Sequence, residues 1–563
     1  MQLNNYTKTY AITAFLLLAS CRTNDSDITL KTSDNAVAVQ VNLLSTDYAD
    51  PTIPQTQASL KKEVTVLPAA EKNFTILSPS IFAETTLSYE SRKLGTQASL
   101  EGTVAAVNGG NMNTNNRFRV IAYRADNGAY AAHKDYIITP TGITPDGTAL
   151  MLDSGTTYNM IVYSYNQPTN LPAISQEELA GIGTAKIRYG ITTEWRDDLL
   201  YQRIDGFTPN GNLLNNPLNI TLRHKTALLK DVTVSLGSVD LEFITLPLGK
   251  ISFTDYKNGE LYFSGTNAGK ITSRTNAFSG WQQNGMTYRG DTRKIYLGNG
   301  TVILNADTAT DPTSKASFLS DITLKDNSTG NIKIQSITAS FTIKPEYIHN
   351  FNIDIKKCGA YIAPGVWKEF ACHNLGANKT LDPFTPAAGL HGDKYQWGAL
   401  KGENLRYVSM TDDQSIYNNN AIIFNWHSFN DSKPNDSWDG IKDPCTTELG
   451  VGWRVPTRAE WDSVLNPALN PQENKGTFST TGNDYTNYTA GKMFGKGLFL
   501  PAAGIRDIHG ALSDRNNYLY YWSRTVLEGD INGSYAALSS ESQTISTSSR
   551  WRACGMPIRC IRD

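Results

Sequence analysis

The stretch NPLNITLRHKTALLKDVTVSL, at residues 216–236, decides the fold class of this chain. Within it Val232, Val234 and Leu236 alternate with polar neighbours. Successive side chains of a strand point to opposite faces of the sheet, so a period of two produces one apolar face. The same alternation recurs in residues 337–343 and 351–355. The pattern predicts strands of a sheet that is buried on one face.

The region before this stretch contains short runs of β-branched and aromatic residues, separated by Gly, Asn and Pro. Such spacing favours a β-sandwich. Helical periodicity is scarce between about residues 60 and 355, and it predicts one short helix there, at ISQEELAGIG (174–183). The predicted strands include VTVL (64–67), FTIL (74–77), FRVIAYRA (118–125) and YNMIVYSYN (158–166).

Composition limits the classes of function. A chain of 563 residues accommodates three or four domains at about 150 residues each. Its net charge of −2 lacks the basic excess that is typical of nucleic-acid-binding proteins, and no nucleic acid is expected as a partner. Charged residues make up only 18%, while Asn, Thr, Ser, Gly and Tyr are abundant. This balance is typical of extracellular β-domains.

The first twenty residues have the features of an export signal. Lys8 supplies a positive start, and Ala11–Leu18 is apolar but too short to cross a bilayer as a helix. Small residues then precede Cys21. The arrangement predicts a signal peptide over 1–20, a lipid on Cys21, and a tether or N-terminal strand over 21–62. The alternatives are an ordinary signal peptide with a chance cysteine, or a short buried helix.

The last two hundred residues are rich in tryptophan and have longer loops. A helix is predicted to start at Thr457, whose side chain can cap it while Glu460 reciprocates. Trp461, Val464 and Leu465 then share one helix face, which is expected to be buried. The sequence therefore predicts an α+β region after about residue 357.

Cysteines beyond Cys21 are confined to the same region. An oxidising compartment permits disulfides, but an odd number leaves at least one thiol over, and the spacing alone leaves the pairing open. The five residues are Cys358, Cys372, Cys445, Cys554 and Cys560.

Residues 63–355 resemble the fimbrillin-like pilus subunits of Bacteroides-type bacteria. The resemblance rests on NRFRVIAYRADNGAY (116–130), ALMLDSGTTYNMIVYSYNQPTNLP (149–172), DDLLYQ (197–202) and the opening stretch, in that order. It implies a lipoprotein precursor with two tandem β-sandwich domains, 63–205 and 206–356. It also implies assembly with other pilus subunits by strand exchange, in which a protease removes an N-terminal strand and a neighbouring subunit's strand fills the groove.

Residues 357–563 resemble a C-type-lectin-like module, the Fibrobacter succinogenes major paralogous domain. The resemblance rests on GVGWRVPTRAEWDSVL (450–465), LPAAGIRD (500–507), YYWSRT (520–525) and GMPIRCIRD (555–563). It implies a long-range disulfide between Cys445 and Cys560, a local one between Cys358 and Cys372, and a leftover Cys554. A fimbrillin pair that ends in this module is similar to pilus tip subunits.

Processing sites depart from the family's pattern, because fimbrillins are often cut after an arginine in the early loop. Arg22 adjoins Cys21, and the next arginine is Arg92. Lys61 and Lys62 lie just before the first predicted strand. Lys62 and Arg92 are therefore the candidate processing sites. If neither is cut, the lysines are a solvated pair and the protein stays on its lipid.

The C-terminal domain is the candidate module for a host or bacterial surface ligand, either a glycan or a protein. Tryptophan suits sugar stacking, although most of these tryptophans are expected to form a core. The calcium-binding tripeptide of true C-type lectins is replaced by Lys433-Pro434-Asn435, where lysine stands in place of the acid that calcium needs. No metal and no cofactor is expected.

An enzyme is the least favoured alternative. Residues 454–461 resemble formylglycine-generating enzymes, which share the lectin-like fold and use reactive cysteines near the C-terminus. Helix capping and packing explain the same residues, and a fold does not carry a function. The chain has no HExxH, CxxC, Walker or GxSxG motif, and His373 beside Cys372 is interpreted as structural. No enzyme is predicted.

These observations predict a mainly β, adhesive subunit of a cell-surface pilus at its tip. Its lipid-anchored precursor is expected at the outer membrane. It is expected to accept a strand but not to donate its C-terminus, which continues into another domain. The alternative is an outer-membrane lipoprotein that binds glycans or proteins and never polymerises.

Overall fold

The chain is mainly β, as predicted, in a computed structural model. No helix among the described residues is long and apolar enough to cross a membrane. The structure describes residues 35–49, 70–90, 110–190, 198–238, 240–244, 249–279, 286–288, 293–297, 302–308, 316–320, 322–326, 330–334, 337, 341–416, 422–423, 425–427, 438, 442–479, 485–526, 532–539 and 545–563.

Strands dominate the first two thirds of the chain. In order they are β1 (Ala36–Asp47), β2 (Ala70–Ser78), β3 (Ile81–Tyr89), β4 (Arg117–Arg124), β5 (Tyr130–Thr139), β6 (Gly142–Pro145), β7 (Met151–Asp153), β8 (Tyr158–Ser164), β9 (Lys186–Gly190), β10 (Leu200–Phe207), β11 (Asn216–His224), β12 (Ala227–Leu236), β13 (Leu241–Phe243), β14 (Gly249–Tyr262), β15 (Ile271–Ser279), β16 (Met286–Tyr288), β17 (Lys294–Leu297), β18 (Val302–Leu304), β19 (Ala316–Ser320), β20 (Ile322–Asp326), β21 (Gly330–Ile334) and β22 (Ile348–Lys357).

The last third combines short strands with helices. The strands are β23 (Gly359–Ala363), β24 (Val366–Glu369), β25 (Lys394–Tyr395), β26 (Tyr407–Val408), β27 (Trp453–Arg454), β28 (Gln472–Lys475), β29 (Gly491–Phe494), β30 (Leu498–Pro501), β31 (Ile505–Arg506), β32 (Leu512–Ser513), β33 (Tyr518–Val526), β34 (Asn532–Ser539), β35 (Ile545–Trp551) and β36 (Ile561–Arg562). The helices are α1 (Gln176–Ala180, in the earlier part), α2 (Met410–Ile416), α3 (Pro444–Leu449), α4 (Arg458–Val464) and a 3₁₀ turn (Ala388–Leu390).

The first sheet has eight strands in the order β6-β5-β4-β8-β10-β11-β1-β7. Its central strands are buried on both faces. In β4, Phe118 and Val120 share one core with Val39 of β1, whereas Ile121 and Tyr123 pack with residues of β9, β14 and β15. The predicted short helix is confirmed as α1, which is closed by a reciprocal capping box between Ser175 and Glu178.

The second sheet has seven strands in the order β16-β17-β12-β22-β3-β2, with β18 also paired to β12. Strands β12 and β22 run parallel, and β3 pairs antiparallel with the other edge of β22. Residues 337, 341 and 343 of the predicted alternation are buried but lie outside the strands. The other predicted inward residues are confirmed as buried, and they are Val232, Val234, Leu236, Phe351, Ile353 and Ile355.

Strand pairing does not follow the predicted boundaries at residues 63 and 206. The hairpin β2–β3, from the predicted segment 63–205, belongs to the second sheet, and β11, from the segment 206–356, belongs to the first. Strand β1 comes from segment 21–62, which is predicted as a tether or N-terminal strand. Local alternation identifies strands, but it carries no information about pairing between residues far apart in the chain.

The C-terminal third is built from small sheets around buried aromatic residues. The predicted helix is confirmed as α4, with its capping box between Thr457 and Glu460 and with Trp461 and Val464 buried. The expectation that most tryptophans of this region form a core is also confirmed, because most of them are buried. Trp551 is an exception, at 41% exposure. The buried tryptophans are Trp397, Trp426, Trp438, Trp453, Trp461 and Trp522.

Candidate functional site

Strand β1 lies inside the first sheet, between β7 and β11. It pairs in parallel with β11, from Val39 opposite Asn216 to Asp47 opposite Arg223. Its first three residues also pair antiparallel with β7. Both edges of β1 therefore satisfy backbone hydrogen bonds of neighbouring strands. Removing β1 would leave two unpaired strand edges facing one slot.

Alternate side chains of β1 fill the apolar floor of this slot. Val39 is buried in the core of the first sheet, and Val41 and Leu43 pack against the same core while partly buried. Full burial of such a side chain contributes about 1.5–3 kcal/mol. Gln40, which lies between Val39 and Val41, is exposed. The slot thus matches the shape of an extended strand with apolar residues at every second position.

The end of β1 is held by a buried polar group that we call the strand latch: Thr46, Tyr48, Asp198 and His224. The Tyr48 ring stacks on the His224 ring with centroids 3.7 Å apart. His224 Nε2 lies 3.1 Å from Thr46 Oγ1, and His224 Nδ1 lies 2.9 Å from Asp198 Oδ1. A displaced β1 would therefore leave the buried His224 imidazole without Thr46 and Tyr48.

Asp198 is the charged centre of the strand latch. Burial raises the pKa of its carboxyl, but the opposing effects of His224 and of hydrogen bonds from Asn166 and Thr226 are greater and hold the pKa below its ordinary value. The Asn166 and Thr226 hydrogen bonds measure 3.1 Å each. The latch is therefore built around an ionised carboxylate.

Of the sequence-predicted sites, those on the early chain lie outside the described residues. They are the lipidation site Cys21 and the candidate processing sites Lys62 and Arg92. Lys62 belongs to the segment 50–69 that joins β1 to β2, whereas Arg92 follows β3. Lys433-Pro434-Asn435 is also outside the described residues.

The cysteines of the C-terminal third are all described. Disulfides join Cys358 to Cys372 and Cys445 to Cys560, which are the pairs implied by the resemblance. Cys554 is a buried free thiol, and burial raises its pKa to about 12. A reactive cysteine needs an accessible thiolate, and neither Cys554 nor the disulfide-bonded Cys560 offers one.

His373 is buried as well, and burial lowers its pKa to about 4. Its Nε2 lies 3.0 Å from the carbonyl oxygen of Leu381. This is the environment of a neutral structural histidine.

The end of β22 forms a second buried polar group, which we call the junction cluster: Lys357, Asp240, Asp326 and Glu369. The Lys357 ammonium donates to Asp326 and Glu369, each at 2.7 Å, and to Asp240 at 2.5 Å. The three carboxylate groups lie within 4.8 Å of one another. Glu369 is the last residue of β24 and lies within the loop that the Cys358–Cys372 disulfide closes. The cluster therefore ties the second sheet to the C-terminal third.

The turn between β2 and β3 reinforces this junction. The backbone N–H groups of Cys358 and Cys372 donate to the carbonyls of Ser80 and Pro79 at 2.8 Å each. Phe82 packs on both half-cystines. Strand β22 is therefore fixed at its end by covalent, polar and apolar contacts at once.

Sequence reasoning missed both polar groups, although a signal was present. His224 continues the inward set Leu218, Ile220 and Leu222 in β11. Lys357 likewise continues the period of two that runs through Ile353 and Ile355. A polar residue at the end of a buried alternation predicts a buried partner, because an unpaired polar group there is costly.

Comparisons with known proteins give likenesses in structure alone. No family model matches the chain and no curated protein matches it. A "putative cell adhesion protein" of Bacteroides fragilis is similar at 12% identity, over 57% of this chain and 93% of its own, with a TM-score of 0.25. The tip fimbrial protein of Porphyromonas gingivalis, with a C-terminal truncation, is similar at 10% identity, over 44% of this chain and 95% of its own, with a TM-score of 0.26.

A further "putative cell adhesion protein", from Parabacteroides distasonis, is similar at 10% identity, over 43% of this chain and 94% of its own, with a TM-score of 0.29. These TM-scores are low, and the fold described above stands on the strand pairing of this chain.

The latch predicts that Asp198→Asn loosens the end of β1. The amide cannot provide the charge that His224, Asn166 and Thr226 surround, so we expect a loss of about 1–3 kcal/mol in the free energy that holds this segment. Hydrogen exchange measures it at the backbone amides of Thr46 and Ala49, which should exchange faster. Asp205→Asn, at a half-exposed carboxylate, is the matched control. Unchanged protection of Thr46 and Ala49 in Asp198→Asn would contradict the latch.

Proposed function

We propose that this protein is an adhesive subunit of a cell-surface pilus, placed at its tip, which accepts a strand from a neighbouring subunit in the slot filled by β1. The observation that carries the proposal is the position of β1. It is an N-terminal strand that fills the interior of a sheet, and residues 50–69 join it to the rest of the described chain.

Strand exchange is physically reasonable at this slot. The backbone of β1 supplies hydrogen bonds to β7 and β11 whatever its sequence, and its side chains supply apolar contacts at alternate positions. A donated strand with the same alternation would satisfy both requirements, which is the logic of β-augmentation.

The strand pairing favours Lys62 over Arg92 as the processing site. A cut after Lys62 would separate β1 from the rest of the chain and leave the second sheet whole. A cut after Arg92 would also separate β2 and β3, and β3 pairs with β22 from Tyr89 opposite His349 to Ile81 opposite Lys357. A cut after Arg92 would therefore sever the covalent link of two strands to the rest of the sheet that borders the C-terminal third.

The tip position is supported by the contacts that retain β22 in the second sheet. In the second sheet β22 lies parallel to β12, as β1 lies parallel to β11 in the first. Strand β22 is thus the equivalent that a stalk subunit would release for donation. Here the junction cluster and the Cys358–Cys372 disulfide retain it. The subunit would accept a strand without offering one, and growth would stop beyond it.

The remaining steps of the proposal follow from the sequence. Lipid on Cys21 would hold the precursor at the outer membrane until processing removes β1, and the C-terminal lectin-like domain would then present the ligand-binding surface. Disulfides in this region suit an oxidising exterior.

Strand exchange can be tested with a protein that carries a specific protease site in place of residues 58–62. The probe is a biotin-labelled peptide with the β1 sequence, AVAVQVNLLSTD. We expect the peptide to be captured after the cut and not before it. A peptide with aspartate at the positions of Val39, Val41 and Leu43 is the control and should not be captured, because it cannot fill the apolar floor.

Equal capture of the two peptides, or no capture by a cut protein that has released its own β1, would contradict the slot as an acceptor site. The released β1 is measured by mass spectrometry of the supernatant.

Tip placement predicts one-sided addition. The processed protein, mixed with purified pilus stalk subunits from the same organism, should appear at one end of each polymer when it is labelled with gold through a C-terminal tag. Its addition should also shorten the polymers, because it offers no strand for further growth. Label within the length of polymers would contradict the cap.

The alternative is a permanently anchored lipoprotein that binds a glycan or protein and never polymerises. It is favoured by the lack of any arginine between Arg22 and Arg92, because the pilus subunits that the sequence resembles are often cut after an arginine in the early loop. N-terminal sequencing of the protein from cell surfaces distinguishes the two. Pilus assembly predicts a start after Lys62, whereas the anchored binder retains a lipidated Cys21 together with β1.

A further inference from the structure

The junction cluster brings a lysine amine against carboxyl groups in a nearly dry environment. The side chains of Lys357, Asp326 and Glu369 are 0%, 1% and 5% exposed. Leu241, next to Asp240 in the chain, and Leu324, two residues before Asp326, are fully buried in the core of the second sheet. Only Asp240, at 30% exposure, reaches the solvent. This combination allows more than an ion pair.

We infer that Lys357 and Asp326 condense spontaneously into an amide, a covalent cross-link between β22 and β20, with Glu369 as the group that transfers protons. This goes beyond the proposed function and does not rest on it.

The reaction balances without any co-reactant. Lys357 Nζ transfers a proton to Glu369 and attacks Cγ of Asp326, so an N–C bond forms. Two protons pass in all from the nitrogen, through Glu369, to the departing carboxyl oxygen. One C–O bond of Asp326 then breaks and one water molecule leaves. An ammonium and a carboxylate become a neutral amide, and no electrons are exchanged.

Geometry assigns the three acids to different roles. Asp326 is held at the end of β20, opposite Leu241 of β13 and Gly330 of β21, and its Oδ1 lies 2.7 Å from Lys357 Nζ. Glu369 accepts from Lys357 through Oε1 at 2.7 Å, while its Oε2 accepts from Ser80 Oγ at 2.6 Å. Glu369 is thus oriented toward the amine. Asp240 is partly exposed, so the side of the cluster that it occupies is the one open to solvent.

Burial favours the uncharged product. An ammonium and a carboxylate removed from water cost several kcal/mol each. Condensation removes both of these charges, and of the two carboxylates that remain, Glu369 keeps the hydrogen bond from Ser80 Oγ while Asp240 reaches the solvent. Proximity replaces the encounter of two reactants, because the strands hold nitrogen and carboxyl in contact before the reaction.

A cross-link here would close residues 327–356 into a covalent ring. It would restrict the unfolded chain as a disulfide does, and unlike a disulfide it would resist reducing agents. It would also hold β22 in the second sheet after reduction of Cys358–Cys372.

Intact mass spectrometry of the purified, reduced full chain tests the inference. We expect a mass that is lower by one water molecule than the processed sequence requires. A peptide map should contain one branched peptide that joins Asp326 to Lys357, and trypsin should not cut after Lys357. Lys357→Arg and Glu369→Gln should each restore the full mass of their sequences, whereas the matched control Lys356→Arg should keep the loss.

The wild-type peptide map decides the question even if a variant fails to fold. An ordinary ion pair gives the full mass and an unbranched Lys357 peptide, and this result would overturn the inference. A branch from Lys357 to Asp240 or Glu369 would overturn the assignment of Asp326 as the acceptor.

Discussion

Two consecutive strands, β11 and β12, are the element on which both sheets depend. Only Lys225 and Thr226 separate them, yet β11 is in the first sheet and β12 in the second. Each pairs in parallel with a strand from a distant part of the chain, β1 or β22. Parallel neighbours cannot be joined by a tight turn, so neither sheet is complete until a remote strand arrives. This arrangement makes β1 replaceable in principle, because its neighbours require its backbone and its apolar alternation rather than a continuous chain.

Both remote strands end at buried polar groups, and the two groups differ in what they permit. The strand latch at β1 consists of hydrogen bonds and one ring stack, and a strand with a hydroxyl and an aromatic ring at the positions of Thr46 and Tyr48 would make the same contacts with His224. The junction cluster at β22 lies next to a disulfide and joins residues of β20, β22 and β24. Each group also fixes register, since a slip by one residue would move His224 or Lys357 out of reach of its partners. The same physical requirement, a partner for every buried polar group, is thus met by noncovalent contacts alone at β1 and beside a disulfide at β22.

Local chemistry explains which features the sequence predicts well. The apolar alternation around Val234 and Ile353 and the capping boxes of α1 and α4 depend on neighbours within a few residues, and the structure confirms them. Pairing across the chain is different. Nothing in residues 70–89 indicates that this hairpin joins the second sheet, because its own alternation is satisfied by any apolar face. Lys357 is an intermediate case. The period of two in β22 indicates that its side chain points inward. Its partners Asp326 and Glu369 cannot be identified in the same way, because they lie on strands that meet β22 only in the folded chain.

In the proposed assembly, a pulling force would pass through both β22 and the donated strand in the slot of β1. Force on a ligand held by the C-terminal third would enter the second sheet through β22, where the disulfide, the junction cluster and the parallel contact with β12 share it. It would then cross Lys225 and Thr226 into β11 and reach the donated strand beside it. A strand pulled along its axis loads all its hydrogen bonds together, and the slot of β1 offers parallel pairing over most of its length. In the proposed assembly the donated strand would therefore be loaded along its parallel pairing, while the end nearest the ligand is the one beside the Cys358–Cys372 disulfide. A subunit that must accept a partner and also hold a ligand under tension needs this asymmetry.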